Sequence, residues 1–536
     1  MGSKELKLKS PQDILTFLKI NIPFIVLFSI LVFLAYAYSL NGEFVSDDIP
    51  TIINNPEVTN LTTAFKSLYL QSILRSITYT LFGLNTVFYH LQSVVLHIIN
   101  LALFFTVTYM LFGKRTSVIA TVLFSVHPTA SEAVIWLSGV NYIILSIATN
   151  IILISYLLYK ETNNKKYLQA TYLLYLVSLI SVTKIWVYII PFIVLIVEWL
   201  ILPGTPRKKT LVNLSGLFVL ALISFAIVFA QNKSYSQRIE SLAVAGGAPY
   251  IKRLPYSIYM PLELLVFPKN LTLYHEGEII TATKYNLMII TSIGLLVITF
   301  ISLVKKDGRS RNSIAGKAPA QNKQLAGFIL LIYASLLPVL SPLQVSWFVA
   351  DRYLYFATGI FCIVLGILIK ELEKELYSPK VAVAATSIVL VILLGRTLDR
   401  NADWKTQKSV WLATEKVGPN GPRVHNNLGD IYAREGDLSK SIWHFERAIQ
   451  LDPTYADAMH NLGNTYIQTN EIEKAKELYI KSLEYNPYLY QSLYKIGLIE
   501  YQSGNHALGQ EYIQKSLQIA PDYEQAQATL EQMQSQ

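Results

Sequence analysis

One cysteine in 536 residues can form neither a disulfide within the chain nor a cysteine-rich zinc or iron–sulfur site. Charge is scarce too: Asp, Glu, Lys and Arg make up 15% of the chain, while 52% is hydrophobic. A water-soluble protein of this length needs far more polar surface, so the positive mean hydropathy specifies an integral membrane protein. The formal charge of +9 does not signal nucleic-acid binding, because the lysines and arginines gather in gaps between apolar runs and make no basic face. No cleavable signal peptide is expected. The first apolar run starts near Asn21, is too long for a typical signal core and lacks a small-x-small exit.

Apolar runs fall at roughly 21–40, 86–112, 116–130, 142–159, 168–183, 186–201, 211–231, 286–303, 325–341, 353–370 and 381–396, which predicts about eleven spans. The run after Lys114-Arg115 must continue through HPTASEA or be a broken helix lining a cavity. Basic residues occupy alternate gaps, such as KELKLK, GKRTS, YKETNNKKY and LPGTPRKKT, whereas HPTASEAVIWLSGVN and LSPLQVSWFVAD have none. With eleven spans, this charge bias predicts a cytoplasmic amino terminus. Asp47-Asp48, the 232–285 loop and everything after 397 then lie on the far side. The long segments 41–85 and 232–285 contain LTTAFKSLYLQS and YSIYMPLELLVF, amphipathic stretches that could lie at the interface and wall off a groove.

After about Asn401 the apolar runs stop and a period of 34 begins, with Gly429, Gly463 and Gly497 in register and Pro419, Pro453, Pro487 and Pro521 beside them. A two-helix unit with glycine at its tight packing point and proline at its turn is the tetratricopeptide pattern. The expected domains are a membrane part, 1–400, and repeats in 401–536, at about 420–453, 454–487 and 488–521 with a terminal cap. A partial helix over 402–416 is expected before them. Such a stack normally holds a peptide or protein segment, although it could instead brace or assemble.

Polar residues where lipid or a membrane surface is expected are the candidates for chemistry. Asp47-Asp48, just past the first span, could take a proton, hold a divalent cation or simply cap a turn. His90, His97 and Asn100, at i, i+7 and i+10, share one helical face and predict an interior cavity or buried network. Seven helical residues cover about 10.5 Å, too far for both histidines to meet one ion. Arg75 and Lys184 are isolated cations that could bind phosphate. His127 and Glu132 flank a proline-bent helix near a membrane boundary, where a buried glutamate needs a partner. Asp351-Arg352-Tyr353 places an acid, a cation and a phenol at the mouth of the tenth run; a local salt bridge is the plainer reading.

FVSDDIPTIINNPEV, YHLQSVVLHIIN, LFSVHPTASEAVIWLSG, LELLVFPKNLTLYHE and VADRYLYFATGIF together resemble the transmembrane-and-tetratricopeptide-repeat O-mannosyltransferases and their prokaryotic relatives, within the GT-C glycosyltransferase superfamily. The resemblance implies an all-α GT-C-type membrane domain followed by an α-solenoid. It implies transfer of mannose or another hexose from a polyprenyl-phosphate donor to a protein hydroxyl, with the repeats presenting the acceptor peptide. It puts the paired acids on Asp47 and Asp48, with Asp47 favoured as base, and pocket residues on His127, Glu132, Asp351, Arg352 and Tyr353. Relatives continue past the glycine with arginine and aspartate, where this chain has Val140, Asn141 and Tyr142; their serine-lysine-glutamate is Thr183, Lys184 and Ile185 here. Donor phosphate would rest on Arg352 with Lys184 or Arg75. A non-catalytic membrane-anchored repeat scaffold and a lipid-linked saccharide transporter are the competing expectations.

Overall fold

The computed structural model describes residues 6–182, 185–202, 207–231, 250–305, 321–340 and 348–535, and every regular element among them is helical. The chain forms two compact units: Met1–Leu273 with Ile280–Ser409, and Tyr274–Ile279 with Val410–Gln536.

Among the described residues of the first unit, seven helices are long and apolar enough to cross a membrane: Ile22–Asn41, Thr86–Phe112, Leu137–Thr162, Lys208–Ala230, Ala282–Val304, Asp351–Glu375 and Pro379–Asp403. An eighth crossing is broken, Lys114–Phe124 and Pro128–Ile135 meeting at a 62° bend. The break has a local cause: Pro128 has no amide hydrogen to continue the ladder, and the extended His127 caps the new turn, its Nδ1 accepting from the Thr129 hydroxyl at 2.8 Å. The chain is thus a multi-pass membrane protein. Three of the eleven expected runs are shorter: Lys165–Ser181, Ile185–Ile201, and Gln321–Ser335 with Leu337–Leu340. A 17-residue helix such as the first reaches only about 25 Å, less than the ~30 Å hydrocarbon core.

Burial separates centre from rim. Of the apolar window of Leu137–Thr162, 78% is buried in protein, against 11% for Lys208–Ala230, whose side chains are left for lipid. Thr86–Phe112 packs on Val140–Thr162, and Lys114–Phe124 lies along Tyr355–Glu375. Gly366 permits that last approach, since a Cβ there would stand 2.9 Å from the Thr116 carbonyl. The polar face of Thr86–Phe112 is turned inward: Tyr355 Oη lies 2.6 Å from His97 Nδ1 and accepts from Asn100 Nδ2, while Asn150 donates to Asn100 Oδ1.

The first loop is itself largely helical. Leu61–Ser67 ends at Leu68 in the left-handed region, and Leu70–Phe82 follows, so the amphipathic stretch is two helices. Leu70–Phe82 has inverted polarity: it buries Gln71, Arg75, Ser76 and Thr78 and exposes Leu70, Ile77, Leu81 and Phe82. A helix with polar residues toward protein and apolar residues outward suits a lipid interface.

In the second unit, helix pairs repeat: Pro422–Arg434 with Leu438–Leu451, Ala456–Gln468 with Ile472–Tyr485, Tyr490–Gln502 with His506–Ile519, then Glu524–Ser535. In place of the partial helix expected over 402–416, Pro379–Asp403 runs on past the apolar stretch and a separate helix, Gln407–Val417, begins after a turn. The glycine period has a steric cause. A Cβ on Gly429 would come within 2.8 Å of the Phe445 ring, and one on Gly463 within 2.7 Å of Tyr479. Tyr479 cannot swing away, being fully buried with its hydroxyl bonded to Asn464. Gly463→Ala should therefore destabilise the array by about 1–3 kcal/mol. The check is faster hydrogen exchange across 456–485 with unchanged exchange in the Thr86–Phe112 helix.

Candidate active site

Ser46 turns the chain with φ +53, and the two acids after it part company. Asp48 is completely buried: its Oδ2 accepts from Val45 N at 3.1 Å, and its Oδ1 from Ser138 N at 2.8 Å and Ser138 Oγ at 2.7 Å. It ties the loop to the Leu137–Gly139 turn. Asp47 is exposed. Beneath the loop, Ile52 and Val58 pack with Tyr89 and Leu137, and Trp136 Nε1 donates to the Val45 carbonyl.

The same Trp136 ring lies 4.9 Å under the Arg352 guanidinium. Arg352 and Glu132 form a buried pair: Nη1 donates to Oε1 at 2.5 Å and the Arg352 amide to Oε2 at 2.8 Å. Arg352 Nη1 also reaches the Leu273 carbonyl at 3.3 Å, and the hydroxyls of Tyr142 and Tyr353 are hydrogen-bonded to this guanidinium. Asp351 points elsewhere, accepting from Thr272 N at 2.9 Å and facing Arg400 Nη2 at 3.4 Å; Arg400 Nη1 donates to Asp403. Trp186 closes the aromatic wall, 4.7 Å from Tyr353 and 5.6 Å from Tyr142. Beside Tyr353 is an apolar cleft of about 10 Å³ between Ser257, Pro261, Val339 and Phe348.

Five of the residues singled out in the sequence thus gather at one end of the first unit: Asp47, Glu132, Asp351, Arg352 and Tyr353, with Asp48 bracing them. Others do not face this space. The Arg75 guanidinium is buried and donates to the carbonyls of Thr51 at 3.1 Å and Leu137 at 2.8 Å, and lies against the Gln71 amide. It holds the loop; no fork is left turned toward the cluster. Burial brings its pKa down to about 10, still charged at neutral pH. His127 caps a turn and its Nε2 donates to the Leu265 carbonyl at 3.2 Å. His90 packs against Gly42, and His97 and Asn100 belong to the Tyr355 network. Lys184 lies outside the described residues. Sequence reasoning passed over Arg400, Trp136 and Trp186, and noted Tyr142 only as a departure from relatives. Arg400 could have been found as a cation between acids, in DRNAD, at the end of the last apolar run.

These features define a class: a polytopic membrane protein with a buried ion cluster under an acidic loop, carrying tetratricopeptide repeats. TPR repeat and tetratricopeptide repeat models match 429–470, 456–488 and 490–523. The chain is homologous to eukaryotic protein O-mannosyl-transferases. It is 25% identical to one from Caenorhabditis elegans, over 78% of this chain and 61% of that one. It is 23% identical to TMTC3 of Mus musculus (78% and 50%) and 22% to TMTC1 of Homo sapiens (80% and 55%). The chain spans about half to three-fifths of the length of these relatives. A crystal structure of MamA protein covers 26% of this chain and 75% of its own, with 22% identity and a TM-score of 0.22.

Burial outweighs the three donors on Asp48 and pushes its pKa up to about 6. An unfolded aspartate titrates near ~3.9, so the folded protein binds this proton more tightly. The stabilisation is present below the unfolded value and is lost as pH rises through about 6. Corrected for intrinsic rates, amide exchange of the 45–60 loop should accelerate between pH 4 and 7. Asp48→Asn should flatten that profile and lower protection at every pH, because its NH2 would face the Val45 amide hydrogen.

Proposed function

We propose that the chain transfers a sugar, mannose or another hexose, from a polyprenyl-phosphate donor to a protein hydroxyl on the extracytoplasmic side, with inversion. The observation that carries this reading is that Trp136 joins the first loop, through the Val45 carbonyl, to the Arg352 guanidinium, some 300 residues away in sequence. The names of the homologous proteins point the same way. Asp47, exposed beside Tyr353, is the base: it takes the acceptor proton as the acceptor oxygen bonds to the sugar's anomeric carbon. The bond from that carbon to phosphate oxygen breaks, leaving a polyprenyl phosphate whose negative charge has grown. Arg352 gains interaction as that charge develops, a preorganised cation aimed at the leaving group. In the structure Glu132 holds the Arg352 fork, so phosphate has to compete with this carboxylate. Tyr142 supplies a neutral contact to Arg352.

We read eleven crossings rather than eight, on the strength of where helix ends meet. Leu8, Gly113, Lys160, Leu202 and Lys370 line one cavity of about 670 Å³. Val45, Leu137, Leu273, Arg352 and Arg400 belong to the opposite, active-site end. Going from Lys160 and back to Leu202 needs an even number of passes, which Lys165–Ser181 and Ile185–Ile201 supply. This reading puts the amino terminus in the cytoplasm, and it puts the repeats, from about 401, on the active-site side of a prokaryotic plasma membrane. There they would present the acceptor segment.

The test is detergent-purified protein incubated with acceptor peptides and a panel of radiolabelled polyprenyl-phosphate sugars, with and without chelator. Asp47→Asn should lower turnover by ~10²–10⁴ without changing thermal unfolding. No turnover with any donor would overturn the enzyme reading in favour of the scaffold. Equal activity in Asp47→Asn would remove Asp47 as base. A loss of activity on chelation would add a divalent cation to the mechanism.

A further inference from the structure

At the start of the repeat array, three side chains from three helices converge: Glu415 on Gln407–Val417, His425 on Pro422–Arg434 and His444 on Leu438–Leu451. One donor atom from each lies within 4.8 Å of the others. His425 Nδ1 is 3.1 Å from His444 Nδ1 and 3.6 Å from Glu415 Oε1. Two ligands at zinc–nitrogen distance on a tetrahedral ion are about 3.3 Å apart, so both separations approximate edges of one coordination tetrahedron.

We propose that Glu415, His425 and His444 form a divalent-cation site, of the kind zinc takes, that staples the first repeat to the helix before it. Protonation follows from the hydrogen bonds. His425 Nε2 lies 3.0 Å from the Pro419 carbonyl, which only accepts, so Nε2 carries the hydrogen and the neutral ring presents a bare lone pair at Nδ1. That lone pair then faces a carboxylate oxygen and a second ring nitrogen. With both rings neutral, three acceptors share at most the one proton His444 can bring, and a cation satisfies all of them. A carbonyl-anchored imidazole is the usual outer support of a metal-bound histidine. Rings hold both histidines: Tyr432 stacks on His444 at 5.2 Å and 15°, and Trp443 meets His425 edge-on at 5.7 Å. Two imidazoles and one carboxylate favour zinc over magnesium or calcium. The histidines are buried while Glu415 is part-exposed, giving a path of entry.

The experiment uses tag-free full-length protein in detergent, stripped with chelator and returned to Zn²⁺ or Co²⁺. We expect one equivalent of zinc per chain after dialysis, a visible Co²⁺ spectrum of tetrahedral intensity, and slower exchange in 410–451 with metal. Outer-sphere changes alone lower metal affinity by roughly 10- to 100-fold, so Glu415→Gln and His444→Asn should each weaken binding at least tenfold. Zinc retention no greater than in a His425→Asn/His444→Asn double variant would overturn the site, leaving a proton-bridged histidine pair only. So would an octahedral Co²⁺ spectrum. If the histidine variants lose helicity, the wild-type cobalt spectrum and Glu415→Gln decide.

Discussion

Four ionisable groups with almost no access to water, Glu132, Arg352, Asp351 and Arg400, set the terms for the whole first unit. None can be left alone. Removing one partner of a buried pair costs on the order of 3–5 kcal/mol, a large part of the 5–15 kcal/mol that stabilises a typical domain. The pairs therefore hold together elements far apart in sequence: the bent helix at Glu132, the turn at Asp351–Leu354, the Leu271–Leu273 segment and the end of the last long helix at Arg400. A lattice of this kind is rigid, and rigidity is what a group meant to stabilise developing charge requires. Arg352 is held from below by Trp136, from one side by Glu132 and from another by phenols, so the donor phosphate of the proposed reaction meets a guanidinium already fixed in place and has only the Glu132 contact to displace.

In the proposed reaction the paired acids divide two tasks that one residue could not perform. A carboxylate that fastens a loop must have its oxygens filled by donors, as Asp48 has. A base must keep its oxygens open toward an incoming hydroxyl, as exposed Asp47 can. Adjacent residues in an extended strand would face opposite ways by default; here the positive φ at Ser46 sets the turn that sends one inward and the other outward. Arg75 completes the fastening by holding Thr51 and Leu137 carbonyls, making the loop a lid pinned at both edges.

Features governed by local or periodic physics were legible in the sequence. The 34-residue glycines announce close packing of the paired helices, the His127-Pro128 pair announces a broken helix, and the His97–Asn100 spacing announces a buried face. Features decided by distant partners were not. Nothing near Arg75 says that its guanidinium is used up by carbonyls 24 and 62 residues away, so a structural clamp and a phosphate ligand look alike in one dimension. The same holds for His127, whose Nε2 partner is 138 residues on. Trp136, Trp186 and Tyr142 are ordinary aromatic residues in apolar segments until folding stacks them about one cation. Length alone does not set the span count for a related reason: Lys165–Ser181 and Ile185–Ile201 are short, and only their neighbours bear on what they do.

The inverted helix Leu70–Phe82 bears on what the ion cluster could serve. Its apolar side chains face outward while its polar ones face the protein, and Phe65, Leu68 and Tyr69 extend the same greasy surface. Burying such a surface in acyl chains is worth about 25 cal/mol per Å², so the loop settles where headgroup meets hydrocarbon. Arg75 on this helix grips the loop beside Asp48, which fixes the depth of Asp47 and Tyr353 through protein contacts. A water-soluble sugar nucleotide would carry its phosphates in bulk water above that plane. A lipid-linked phosphate has no such choice, since its chain anchors it at the headgroup level. The geometry of the loop thus favours a donor whose leaving group is already tethered where Arg352 waits.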